Sequence, residues 1–515
     1  MIAVVGAGVG GLCAALDLVG AGHDVMLFER AAAVGGKMHR VAAGGRAVDG
    51  GPTVLTMRDV FDGLFADAGA DLSERVRLEP ARHLARHAWP DGGRLDLHAD
   101  PGASRRAIRA FAGEADAAGF DRFIAYARAL HADVEDVFIR AQRPTAWRVL
   151  QQLGLRALPR LLRIDARRTM WQSLGDFFRD PRLRQLFGRY ATYAGLDPFQ
   201  APATFNLIAW VEQAGVWRVG GGLSALAEAL ADLFIERGGM LRCGEGIATL
   251  RVQNGRVTGV TTERGEAVSC EAVVFNGDAQ ALAAGLLGEA ARAAVEPSAP
   301  AARSLSALTF CTTTATQGFP LLHHNVFFST DSAAEFRALF ADRRLPDEPT
   351  VYVCAQDRGD DDAARAEDRL LLLVNAPATG VGPPLTEEEI EACAERTLDL
   401  LSRCGLLLRW DAARTVRTTP ADWSARFPGS GGALYGPAAH AWNATLRRPG
   451  ARSRLPGLYL AGGSVHPGAG VPMAALSGRM AAAQLVADQP STRRSRPVAM
   501  PGGTWTRSAT TAATP

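Results

Sequence analysis

Short apolar runs separated by glycines set the pattern of this chain. Ile2-Ala3-Val4-Val5 stops at Gly6 and predicts a short buried strand. From Gly11 to Gly20, Leu12, Ala15, Leu16 and Val19 recur at helical spacing, and Gly22 ends that helix. Val25 to Phe28 is the next apolar run, closed by Glu29, so residues 1–60 read as β-α-β. A second block covers 222–275. Leu223, Leu226, Leu230 and Phe234 share one helical face, and Gly238-Gly239 stop the helix. Val252 to Val260 folds over Asn254-Gly255, a tight-hairpin signal, and Ala272 to Phe275 is a buried strand running into Asn276-Gly277-Asp278. The third block covers 455–486: a turn at Leu455-Pro456-Gly457, a strand at Leu458 to Leu460, a glycine-rich loop over 461–471, and a helix from Pro472 to Val486.

Two long stretches, about 80–215 and 285–450, separate these blocks. The first is mostly helical by pattern and the second mixes strands and helices. Beyond Pro490 the chain is rich in Ser, Thr, Pro and Arg without hydrophobic period, which predicts a disordered tail.

Composition narrows the class. The 515 residues allow two to four domains, and a net charge of +2 gives no field that points to nucleic acid. The seven cysteines form no C-x-x-C pair, which speaks against zinc and against a disulfide framework. No run approaches the ~20 apolar residues of a membrane span, and the opening is not read as a secretory signal. Lys37 is the sole lysine among 56 basic residues.

Gly6-Ala7-Gly8-Val9-Gly10-Gly11 supplies G-x-G-x-x-G between strand and helix. Gly6 allows the tight turn, Gly8 lets the backbone approach a pyrophosphate, and Gly11 lets helix and strand pack closely. The phosphate charge meets the helix N-terminus. Glu29 ends the second strand, where an acid accepts from ribose hydroxyls. Gly35-Gly36-Lys37 and Asp49-Gly50-Gly51-Pro52-Thr53 are backbone-rich loops able to run along an extended dinucleotide, although such loops also occur as ordinary turns. Ala461 to Pro472 is a third such loop; its glycines allow close passage against a flat ring, and the helix start that follows favours negative charge.

In order along the chain, the fingerprint, Asp49–Thr53, Gly215-Val216-Trp217 with Gly220 to Leu223, Asn276–Asp278 and Gly468-Ala469-Gly470-Val471-Pro472 resemble the bacterial carotenoid (phytoene) desaturase family. Arg189-Tyr190-Ala191-Thr192-Tyr193, Pro198 with Ala201 to Thr204, and His323-His324-Asn325-Val326-Phe327-Phe328 look closest to the hydroxyneurosporene (1-hydroxycarotenoid 3,4-) desaturases. Gly277 stands where relatives often have alanine, and Gly463-Ser464 replaces a more usual Ala-Gly-Thr type run.

The resemblance implies an α/β fold: a Rossmann-type FAD-binding domain of the amine-oxidase-like kind, with inserted substrate-binding and helical membrane-associating segments. The expected division is 1–80, 216–285 and 451–489 for FAD, 81–215 helical and facing substrate or membrane, 286–450 for substrate, and 490–515 as tail. Carried over by position, Gly6, Gly8, Gly11, Glu29, Gly36 and Lys37 hold the adenosine and pyrophosphate side. Ile247 lies against adenine. Gly463, Gly470, Val471, Pro472 and Met473 meet the flavin end, and Gly51, Pro52 and Thr53 also bind the cofactor.

The implied reaction is desaturation of a hydrophobic carotenoid by hydride transfer to flavin, in carotenoid biosynthesis. Phytoene desaturation, another amine-oxidase-like oxidation and non-catalytic carotenoid binding are the alternatives. No metal is called for. His466, Tyr190 and Glu212 are the weak candidate bases, with a structural role the readier reading of each. Trp217, Phe310, Phe327, Phe328 and Tyr352 either line an apolar tunnel or fill core. No second dinucleotide fingerprint follows a strand, which points to quinone or dioxygen as electron acceptor. A water-insoluble substrate implies a peripheral position on the cytoplasmic side of the bacterial inner membrane. Residues 143–171 offer a basic, tryptophan-containing stretch for that contact, or else an amphipathic helix with a solvated arginine face.

Overall fold

The computed structural model describes residues 1–142, 164–297, 303–360, 365–380, 382–441 and 443–489. The expected interfacial stretch from Arg143 to Arg163 and the expected tail therefore lie outside the described residues.

The three glycine-punctuated blocks assemble one five-stranded parallel sheet. Its order is Leu458–Leu460, Ala272–Phe275, Ile2–Val5, Val25–Glu29 and Met240–Cys243. Strands from both ends of the chain thus share one sheet, the first at its centre and the last at its edge. Ile2, Val4, Leu27 and Val274 are buried, as strands of a parallel sheet covered on both faces require. Three helices cover one face: Val9–Gly20, Leu223–Glu236 and Val471–Asp488. The hairpin forms where the Asn-Gly pair predicts it. Ile247–Gln253 and Arg256–Thr262 are antiparallel with Gln253 opposite Arg256, and Asn254 and Gly255 both have positive φ, 50° and 72°. A parallel sheet with helices on its face and the glycine loop after its central strand is the Rossmann-type α/β arrangement expected from the sequence.

A second, seven-stranded sheet stands beside the first. Its order is Thr415–Thr418, Ser306–Thr314, Asp368–Ala376, Val351–Ala355, His324–Phe327, His83–Ala88 and Arg94–His98. The last two strands fall in the segment expected to be helical. Leu84, Leu95 and Leu97 share one core and Ala88 joins another, Arg86 pairs with Asp96 across the strands at 2.8 Å, and His324–Phe327 adds a parallel neighbour. Two histidines and an arginine in six residues hide the period-2 pattern. Helices from Pro101 to Val134 and from Met170 to Gln213 follow. Among the described residues, no helix is long and apolar enough to cross a membrane.

Candidate functional site

The glycine loop after the first strand sets the first edge of the site. Gly6 has φ +96°, and its N–H donates to Phe28 O at 2.7 Å. A Cβ on Gly11 would stand 2.0 Å from Gly6 O, so only glycine lets the helix start this close to the strand. Gly36, at φ +59°, crosses over Gly8, and a Cβ there would lie 3.2 Å from Gly8 Cα. Glu29 accepts from Ala7 N–H at 2.7 Å and from Ala31 N–H at 2.8 Å, so its carboxylate also staples the glycine loop to the second strand. Each oxygen keeps a lone pair for a ribose hydroxyl.

The second edge comes from the C-terminal block. Gly470, at φ +118°, precedes the helix Val471–Asp488, and Pro472 in its first turn has no N–H to leave unpaired. Gly463 O accepts from Arg448 at 2.8 Å, and the same guanidinium donates to Tyr435 O at 3.0 Å and Pro437 O at 2.9 Å. Burial pulls the Arg448 pKa down to about 10. This buried arginine fixes three loops together, and nothing in its sequence neighbourhood marks it.

Between these edges opens a cavity of about 1670 Å³. Its wall includes Gly6, Gly8, Glu29, Gly36, Lys37, Gly51, Pro52, Thr53, Ile247, Gly463, Gly470, Val471, Pro472 and Met473. Gly11 lies just behind, packed on Gly6. One continuous space therefore joins the loops at both chain ends. Lys37 Nζ donates to Leu434 O and lies 5.3 Å from the Phe427 ring centroid. Burial lowers its pKa to about 8, against the pull of Asp278 and with the push of Arg303 and Arg448.

Away from the glycine loops the wall turns apolar, with Val54, Phe138, Ile164, Ile208, Leu371 and Leu373. Into this wall protrudes a polar group. Glu212 accepts from Tyr193 O–H at 2.8 Å and from Tyr190 O–H. Burial raises its pKa, and the two phenols and Arg189 oppose that rise. Glu212 and Tyr193 line the cavity, whereas Tyr190 stands behind Glu212. His466 is not on the wall: its Nε2 pairs with Ala141 O at 2.9 Å, and its ring meets Phe138 edge-on at 4.9 Å. Its flanking residues turn the loop and carry it inward.

Of the five aromatics considered for a tunnel, Tyr352 alone is among the cavity-lining residues. Phe310, Phe327 and Phe328 are buried in the sheet cores, and Trp217 packs under the Arg58 guanidinium at 4.6 Å. They sit on strand faces turned toward the packing layers. Tyr352 O–H lies 2.6 Å from Thr53 Oγ1 and 2.7 Å from His324 Nδ1, a contact that spacing in the sequence does not announce. In the basic stretch expected at a membrane, Arg168 pairs with Asp165 at 2.6 Å, Tyr126 O–H donates to Asp165 at 2.8 Å, and Trp171 packs on Phe199 at 4.5 Å.

The donor set suits FAD. A glycine cradle that a Cβ would fill, an acid at the end of the second strand, a cation on the wall and two helix starts all face one elongated space.

Residues 9–486 match the family model described as flavin containing amine oxidoreductase. The chain is 50% identical to a hydroxyneurosporene desaturase of Rubrivivax gelatinosus, over 99% of this chain and 98% of that one. It is 44% identical to a hydroxyneurosporene desaturase of Rhodobacter capsulatus, over 95% and 98%. Among solved structures, an oxidoreductase from Methanosarcina mazei superposes with a TM-score of 0.56 at 16% identity, over 93% of this chain and 98% of that one, which shows a common fold. The chain belongs to the flavin-containing amine oxidoreductase family, with FAD as its cofactor, and shares a family with the hydroxyneurosporene desaturases.

Proposed function

We propose that this protein is an FAD-dependent carotenoid desaturase that introduces the 3,4 double bond into a 1-hydroxycarotenoid. The observation that carries this reading is the single cavity whose one arm is a dinucleotide cradle and whose other arm is apolar. Likeness to the hydroxyneurosporene desaturases over the whole chain supports the substrate class.

Gly6, Gly8, Gly11, Glu29, Gly36, Lys37 and Ile247 are the proposed holders of the adenosine and pyrophosphate portions. Gly51, Pro52, Thr53, Gly463, Gly470, Val471, Pro472 and Met473 are proposed to hold the ring end. Residues 1–80, 216–285 and 451–489 are the proposed FAD-binding parts, with 81–215 and 286–450 as substrate-facing insertions. Bound FAD supplies the acceptor for the hydride that leaves the substrate. The protein's own part is placement and dryness. Apolar side chains such as Val54, Ile208 and Leu373 exclude water from a polyene and align it. Charge left on the substrate is allylic and spreads along the polyene, so the neighbouring proton is acidic and no strong base is needed. Within this reading Tyr190 and Glu212 act on the substrate's position, and His466 is structural.

The substrate's insolubility supports peripheral residence on the cytoplasmic face of the inner membrane, with quinone or dioxygen as final electron acceptor. The deciding experiment expresses the protein in cells that accumulate 1-hydroxyneurosporene. The expected result is a pigment with one more conjugated double bond and a red-shifted absorption. An unchanged pigment profile in cells making the flavin-loaded protein overturns the reading.

A further inference from the structure

The apolar arm of the cavity contains a polar arc that desaturation of a pure hydrocarbon does not use. It runs from Thr53 to Tyr352, whose hydroxyls lie 2.6 Å apart. The Arg189 guanidinium carbon stands 5.6 Å from the Tyr352 ring centroid. Tyr193 O–H donates to Glu212 at 2.8 Å, and the nearby Arg189 charge opposes the rise in the Glu212 pKa that burial causes. Thr53, Tyr352, Arg189, Tyr193 and Glu212 all line the cavity.

Two features show that this arc has bonding capacity to spare. Arg189 Nε is a buried donor with no acceptor, and among the described residues no carboxylate forms an ion pair with this guanidinium. Glu212 is 5% exposed and receives one phenol on each oxygen, which leaves a second acceptor site on each. Both residues line the cavity, and Arg189 is close enough to Glu212 for its charge to favour the carboxylate. A hydrocarbon laid there makes no use of the spare acceptor sites or of the guanidinium; a hydroxyl, which both donates and accepts, can bond both.

We propose that Arg189 and Glu212 form a subsite that binds the tertiary hydroxyl of the carotenoid end group, Arg189 donating to its oxygen and Glu212 accepting its proton in a hydrogen bond. This rests on the desaturase reading and deepens it. In a 1-hydroxycarotenoid the hydroxyl-bearing carbon is two bonds from C3. A group that reads the hydroxyl therefore also sets which carbons lie at the reaction centre. The link from Arg189 through Tyr352 to Thr53, in the loop proposed to meet the ring end of FAD, supplies that registration. Tyr190 and Tyr193 are positioning residues that hold the carboxylate. The subsite also acts by exclusion, because a site built to bond a hydroxyl penalises the analogue that lacks it.

The test compares flavin-loaded wild type with Glu212→Gln and Arg189→Lys on 1-hydroxyneurosporene and on neurosporene, the same chain without the hydroxyl. Wild type is expected to favour the hydroxylated substrate in kcat/KM. Each variant is expected to lower that preference by about ten- to a hundredfold, the worth of one charge-assisted hydrogen bond. The loss should fall mainly on KM for the hydroxylated substrate, with bound-flavin absorption as in wild type. Arg189→Lys keeps the charge and loses the fork, so it serves should Glu212→Gln not fold. Desaturation of both substrates equally by wild type overturns the subsite and leaves the desaturase reading standing. Preference retained in a folded variant also overturns the subsite. A wild type inert on both substrates overturns the underlying reading and the subsite with it.

Discussion

A Cβ placed on Gly478 would stand 2.0 Å from the carbonyl oxygen of Gly10, so the last helix rests directly on the backbone of the first. Arg479 reinforces the contact with a 3.0 Å ion pair to Asp17. This contact is what brings the two ends of the chain to one cavity.

Gly478→Ala should therefore be destabilising, although alanine is the better helix former. The propensity gain is about 1 kcal/mol, and driving a methyl into a backbone carbonyl costs about 3 kcal/mol, the upper end of the overpacking range, or moves the helices apart. We expect a lower Tm and a reduced flavin-to-protein absorbance ratio in the purified variant. A variant with unchanged Tm and full flavin would show that the two helices separate freely.

Glu29→Gln should weaken FAD binding and the apoprotein together. The carboxylate accepts from two backbone N–H groups, Ala7 and Ala31. A glutamine presents an NH2 to one of them, leaving a buried donor facing a donor at a cost of about 1–3 kcal/mol. Fluorescence titration with FAD should give a Kd raised about tenfold or more, and thermal unfolding of the apoprotein should drop. Loss of affinity with unchanged apoprotein stability would mean that the staple to Ala7 carries no weight.

Much of this was legible in the sequence, and what was hidden has physical causes. Glycines and the Asn254-Gly255 turn act locally, so the strands, the hairpin and the first glycine loop could be placed from spacing, whereas the ring-end loops were read from the family resemblance. Arg448 and the Thr53–Tyr352 contact depend on residues hundreds of positions apart meeting in space, which no local pattern records. The strand His83–Ala88 owes its form to a parallel neighbour at Asn325 to Phe327, and its own residues do not insist on it. His466 sits in the right loop, yet the Ala141 carbonyl and Phe138 hold its ring off the wall.

Acid should destabilise the fold through buried histidines. His87 is enclosed, bonds Leu95 O at 3.1 Å and stacks on Phe328. Burial holds its pKa at about 4, below the ordinary value of 6.5. Above 6.5 the ring is neutral in both folded and unfolded chains and the fold bears no penalty. As pH falls from 6.5 toward 4 only the unfolded chain takes up the proton, and stability falls by about 1.4 kcal/mol per pH unit for this site. Urea unfolding of wild type and His87→Gln across that range should show the variant's slope shallower by one proton. Parallel slopes would mean that His87 is already protonated in the folded protein.

The lone lysine sets a conflict between stability and cofactor binding. Burial lowers the Lys37 pKa from 10.5 to about 8, so at pH 7 the folded apoprotein carries a charge that its surroundings disfavour. The unfolded chain keeps its proton up to 10.5, so apoprotein stability rises with pH between 8 and 10.5 and is flat below 8. At pH 7 the penalty is about 3 kcal/mol, and losing the bond to Leu434 O returns about 1 of it. Lys37→Met should therefore stabilise the apoprotein by about 2 kcal/mol at pH 7 while weakening FAD binding. A bound pyrophosphate needs the cation, so wild-type FAD affinity should decline as pH rises through 8, and the variant's should not. Calorimetry of the apoproteins and FAD titrations at pH 7 and 9 separate the two effects. A variant that binds FAD as tightly as wild type at both pH values would remove Lys37 from the cofactor site.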